Sequence, residues 1–213
     1  MKFFYFALLL ILFSGCANLN SLQGGKTLPK DTFEITPIVG LGTFEEAENF
    51  YEDRNEFVAI PNCGLRVKYG FTDKIDAGIT ADLSSNFGLT GKYHVLGKKN
   101  SKFNSSIGFD FGANLIVFSY GTLLYYYSVP LYFSYDFKST FSFYLTPRYI
   151  NNSGYRIISR TNKNSSNDIS LNRATISYGA LFGKKHKFGL EISNNSKNLL
   201  IPTQIAFGYN IRF

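Results

Sequence analysis

The chain has 213 residues with 22 Phe, 15 Tyr, 19 Gly, 6 Pro, no Trp and a formal charge of +7. That is one domain's worth of chain, and its aromatic and glycine content favours β structure. The cations are scattered over strands and short turns such as Lys98 Lys99 and Lys184 Lys185 Lys187, without a stripe or a recognisable module, so the basic balance does not point to nucleic acid.

Lys2 is followed by eleven apolar residues, Phe3 to Phe13, and then Ser14 Gly15 Cys16. Such a run is too short to span a bilayer as a helix, so residues 1–15 are expected to be a secretory signal that takes no part in the fold. Small residues before Cys16 resemble a lipoprotein lipobox, which implies diacylation of Cys16. The resemblance departs at Phe13, where a lipobox usually carries Leu; here Leu12 lies one position further back. Ordinary cleavage after Ala17 is the alternative. Residues 17–31 are polar with Gly24, Gly25 and Pro29, which predicts a flexible leader; with the lipidation of Cys16 that the lipobox resemblance implies, residues 16–31 precede a single barrel domain over 32–213. Cys63 is the other cysteine, so no intramolecular disulfide is available once Cys16 is lipidated or removed.

Ten segments of alternating polarity follow. In chain order their apolar faces hold Phe33 to Leu41, Leu65 to Phe71, Ile75 to Leu83, Phe87 to Val95, Ile107 to Ala113, Tyr127 to Tyr135, Phe141 to Tyr149, Ala174 to Phe182, Phe188 to Ile192 and Ile205 to Phe213, every second residue counted. No run of about 18 apolar residues follows the signal, so any later membrane crossing is made by strands.

None of these 46 apolar-face positions is charged, although 17% of the chain is Asp, Glu, Lys or Arg. A charge at mid-membrane costs roughly 2–4 kcal/mol for Lys or Arg. The opposite face collects acids Glu34, Asp76, Asp82, Asp110 and Glu191, and bases Arg66, Lys68, Lys92, Arg148, Arg173 and Arg212. These are read as a near-neutral network inside the barrel, because a buried charge needs a partner. Periodicity does not by itself exclude the inverted arrangement of a soluble barrel, apolar inside.

The last segment, Ile205 to Phe213, alternates strictly and stops on an aromatic residue. It resembles the closing strand of bacterial outer-membrane β-barrels. That resemblance implies that Tyr209, Ile211 and Phe213 form part of the signal read by the barrel assembly machinery, and that the protein sits among outer-membrane lipid. Connections after even-numbered strands are short. Two after odd-numbered strands, residues 43–61 and 151–168, are the longest, as expected of periplasmic turns and extracellular loops. The expected fold is therefore all-β: a closed, antiparallel, up-and-down transmembrane barrel of about ten strands, with eight or twelve as the neighbouring counts.

Catalysis in such barrels calls for an oriented base. His186 falls among lysines in a turn, and His94 faces inward beside Lys92 with no acid or nucleophile at a telling spacing. The sequence thus predicts no enzyme, no metal and no cofactor. Residues 43–61 carry six acids against Arg54, and residues 151–168 carry Arg156, Arg160 and Lys163 against Asp168. Loops on a rigid scaffold are where binding resides, so these two are the candidate surface for an extracellular ligand. The expected role is structural or loop-mediated, with Tyr132 and Tyr144 helping to fill the lumen. The alternatives are a small pore or transporter, or a soluble periplasmic, lipocalin-like lipoprotein.

Overall fold

Alternation every second residue puts one set of side chains on each side of a sheet, and the ten segments form ten strands. They are β1 Phe33–Thr43, β2 Ala59–Thr72, β3 Ile75–Asp82, β4 Asn86–Leu96, β5 Phe103–Ile116, β6 Thr122–Lys138, β7 Phe141–Arg156, β8 Asp168–Phe182, β9 Lys187–Asn195 and β10 Gln204–Arg212. The computed structural model describes residues 21–43, 59–82, 86–98, 101–116, 122–156, 168–195 and 204–213. Signal residues 1–15, Cys16 and most of the two long loops lie outside them.

Each strand pairs antiparallel with the next, and β10 returns to β1 to close the barrel. The seam is in register from Glu34↔Arg212 through Val39↔Phe207 to Gly42↔Gln204. Closure leaves no sheet edge, which is the condition for a β structure to live in lipid.

Several strands outrun the alternating segments. β2 begins at Ala59, Asn151–Arg156 continues β7 and Asp168 opens β8, so residues 43, 59–61, 151–156 and 168 of the predicted loops 43–61 and 151–168 are strand. The physical reason is that ladder bonds are made by backbone alone. Ala59 still opposes Thr43 and Asn151 still opposes Asn172, although their side chains no longer alternate in polarity.

The faces sort as a lipid-facing barrel requires. Phe87, Leu89, Phe109, Phe111, Phe143 and Phe207 point outward and are exposed. Glu34, Arg66, Lys68, Asp76, Lys92 and Glu191 point inward and are buried. The inverted, apolar-inside arrangement is not the one formed.

The two ends of the barrel differ. Four short connections, β2–β3, β4–β5, β6–β7 and β8–β9, share one end with the start of β1 and the end of β10. Gly97 (φ 108°) and Gly183 (φ 122°) open two of these turns in the left-handed region, where any Cβ would strain the chain. Phe213 N–H closes this turn end by donating to the Phe33 carbonyl at 2.9 Å.

Candidate functional site

The feature that dominates the interior is a segment of the chain itself. Residues 21–32, expected to be part of a flexible leader, run back from the start of β1 into the barrel, and Ser21, Leu22 and Leu28 are each at most 1% exposed. Polar sequence did not leave this stretch in solvent because the lumen is polar too, and it supplies partners that water would otherwise supply.

Glu191, on β9, holds the innermost part. Its carboxylate accepts Ser21 N–H at 2.7 Å, Ser21 Oγ at 2.6 Å, Leu22 N–H at 2.6 Å and the Tyr144 hydroxyl at 2.7 Å. Arg66, on β2 three strands around the barrel, donates to the Ser21 carbonyl. Two successive N–H groups converging on one carboxylate bend the backbone, and Leu22 takes a φ of 40°, unusual outside glycine. Its side chain fills a slot made by missing side chains: a Cβ on Gly208 would stand 2.6 Å from Leu22 Cδ1, and one on Gly189 would stand 3.0 Å from Cδ2. Ile38 and Ala206 complete this small apolar cluster inside a polar lumen.

A second anchor lies nearer the turn end. Asp76 accepts Leu28 N–H at 2.9 Å and pairs with Lys68 at 3.0 Å and Lys92 at 3.8 Å. Both ammonium groups also reach Gln23 Oε1, at 2.9 and 3.3 Å, and Lys92 adds the Lys26 carbonyl at 2.7 Å and the face of Tyr132. The inner segment is therefore the missing acceptor set for two lysines that share one carboxylate. Gly25 crosses the wall where no side chain fits: its Cβ would meet the Asn104 backbone. Its N–H bonds Ser134 Oγ at 2.9 Å. Lys26 reaches Asp136 at 2.6 Å, and Lys30 N–H bonds Asp73 at 3.2 Å at the rim.

The remaining predicted network residues sort as follows. Arg212 and Glu34 meet across the seam at 2.6 Å, and Arg148 stands 3.9 Å from Asp110, which also accepts the Ser128 hydroxyl. Asp82 accepts Asn86 N–H at 3.2 Å, and Arg173 faces inward, half-buried. Glu191 differs most from the sequence reading: it serves the inner segment rather than a base of the wall. His94 lies against the carbonyls of Gly25 and Gly97 and the Ser106 hydroxyl, none of them a carboxylate. Tyr209, Ile211 and Phe213 lie on the outward face of β10 or at its end, as their parity required. Among the described residues no cluster of three or more His, Cys, Asp or Glu could hold a metal ion, and no helix is long and apolar enough to cross a membrane.

The inner segment was missed because its periodicity is that of no regular element. Two signals pointed to it: isolated Leu22 and Leu28 in a polar stretch, and inward positions 189 and 208 occupied by glycine.

No protein-family model and no curated protein matches the sequence. Solved structures do match in fold. An outer-membrane channel from Pseudomonas putida F1 aligns with a TM-score of 0.53 at 9% identity, over 89% of this chain and 98% of that one. The N-terminal β-barrel domain of Pseudomonas aeruginosa OprF aligns with a TM-score of 0.37 at 12% identity, over 87% and 100%. Neisserial surface protein A gives 0.35 at 11% identity, over 86% and 100%. The first likeness supports the closed-barrel fold; the other two scores are too low to add to it.

Proposed function

We propose that this chain is an integral barrel of the bacterial outer membrane, shut at its turn end by its own residues 21–32, with a structural or loop-mediated surface role and no catalysis. The observation that carries this reading is the pairing of an uncharged, aromatic outer face with an interior in which Glu191, Arg66, Asp76, Lys68 and Lys92 all engage the inner segment. A ten-stranded lumen is narrow to begin with, and the Glu191 and Asp76 anchors occupy its turn-side half. On this reading the turns are periplasmic, the β1–β2 and β7–β8 connections lie on the extracellular side and offer the surface for an extracellular ligand, and Tyr209, Ile211 and Phe213 are read by the assembly machinery. Lipidation of Cys16 belongs to the same proposal; four residues separate it from Ser21, a reach of at most about 18 Å. The intact mass of the membrane-extracted protein tests it.

A second reading, a channel that opens when the inner segment leaves, is favoured by the likeness to the P. putida channel and by the polar loop-side lining of Asn62, Asn86 and Thr175. Planar-bilayer recording separates the two. The closed barrel predicts no steady current from the intact protein, and steady current would overturn it. Current appearing only after deletion of residues 21–28 would favour the second reading.

A further inference from the structure

The charge excess is directional. Lys30, Lys74, Lys98, Lys102, Lys138, Lys184 and Lys185 are all exposed, and all lie at the turn end, at least one on each of the four turns. The exposed acids among the described residues of that end are Asp31 and Asp73. Of the seven lysines only Lys30 makes an ion pair among the described residues, at 3.9 Å with Asp31. By contrast, the β1–β2 connection at the other end carries six acids and one base in sequence.

Immediately inside this collar runs a girdle of aromatic rings, exposed at Tyr135, Phe137 and Phe182 and half-buried at Phe141. Tyr135 and Phe137 stand 4.9 Å apart, Phe137 and Phe141 5.6 Å, and Phe141 and Phe182 5.1 Å, a continuous edge across β6, β7 and β8. Tyr69 and Phe71 form a separate aromatic pair, 5.0 Å apart, at the same end on β2. Aromatic girdles mark the level of the lipid headgroups. Lys138 follows Phe137 directly, Lys102 precedes Phe103, and Lys184 lies two residues after Phe182. The ammonium groups are thus held at headgroup depth on short, fixed turns, with apolar stems available to lie along the rings.

We propose that the turn end is a binding collar for anionic phospholipid headgroups, the net-negative phosphodiesters of the leaflet it meets. This rests on the membrane reading above. Neutral headgroups would leave seven like charges crowded around one rim, whereas anionic ones neutralise them and gain roughly fivefold in partition for each lysine engaged.

The test uses the protein refolded into vesicles of equimolar phosphatidylethanolamine and phosphatidylglycerol with matched acyl chains. Heat-modifiable migration reports folding, and native mass spectrometry reports the retained lipid. The collar predicts severalfold excess retention of phosphatidylglycerol, lost in 0.5 M salt and lost in the variant combining Lys74→Gln, Lys98→Gln, Lys138→Gln, Lys184→Gln and Lys185→Gln. Equal retention of the two lipids by a folded barrel would overturn the collar and leave the membrane reading intact. Failure to fold in any vesicle would overturn both. A preference that survives in the folded variant, or binding to anionic cell-wall fragments without lipid preference, would assign the lysines elsewhere and overturn the collar.

Discussion

Glu191→Gln is the sharpest perturbation of the closed lumen. The substitution keeps the side-chain volume but turns one carboxylate oxygen into an amide donor. Ser21 N–H bonds one oxygen, and Leu22 N–H, Ser21 Oγ and Tyr144 bond the other. Whichever way the amide is turned, one backbone N–H faces an NH₂ group, and the surviving bonds lose their charge assistance. Losing one charge-assisted bond with a buried donor left unpaired costs about 2–4 kcal/mol. At 1.4 kcal/mol per decade, undocking becomes roughly 30- to 700-fold more frequent. Amide hydrogen exchange read by mass spectrometry on the peptide containing residues 21–28 measures this directly, because protection there reports the opening equilibrium. The wild-type peptide should be protected and the variant peptide should exchange faster by that factor, with β-strand peptides unchanged. Equal exchange in the two proteins, or an unprotected wild-type peptide, would refute the reasoning.

Three other changes follow from the same geometry. Gly208→Val places a Cβ 2.6 Å from Leu22 Cδ1 and should expel Leu22, deprotecting the same peptide, while Gly91→Ala, whose Cβ meets nothing nearer than 3.9 Å, should not. Phe111→Arg, on the outer face, should lower unfolding free energy in vesicles by about 2–4 kcal/mol; a loss below about 1 kcal/mol would contradict its lipid exposure. Asp76→Asn leaves the Lys68 and Lys92 ammonium groups, 3.0 and 3.8 Å from that carboxylate, without their shared counter-charge. It should cost about 3–5 kcal/mol in urea titration, part of it recovered by adding Lys92→Met, which leaves one such ammonium group rather than two.

The barrel was legible because its rule is local and repeats. Tyr69, Ile79, Leu89 and Phe207 each declare a face by parity alone, and one wrongly placed charge in any strand would have spoiled the pattern. Strand ends were less legible. Asn62 and Ser153 sit in strands without an alternating neighbourhood, because pairing with Gly40 and Ser170 is made by backbone. The inner segment was illegible for a different reason. Gln23 and Gly24 have no periodic neighbours, and what orders them is a set of groups 45 to 170 residues away in sequence, including Lys68, Lys92 and Glu191. Polar composition signalled solvent, whereas the solvent was a polar lumen. Parity placed Glu34 and Arg212 on the inner face, and seam closure brought them together. Glu191 was placed on the correct face but given the wrong kind of partner.

The central claim, a membrane barrel closed by its own N-terminal segment, is tested most directly by a cross-link between that segment and the wall. A Cβ on Gly24 would stand 3.3 Å from Ser134 Cβ, within a few tenths of an ångström of the roughly 3.5–4.5 Å that a disulfide spans. In a chain with Cys16 and Cys63 replaced by Ser and refolded into vesicles, Gly24→Cys with Ser134→Cys should oxidise nearly completely. Gly24→Cys with the outward Tyr135→Cys should not. Absence of the first cross-link in a barrel that still shows heat-modifiable migration would contradict the account.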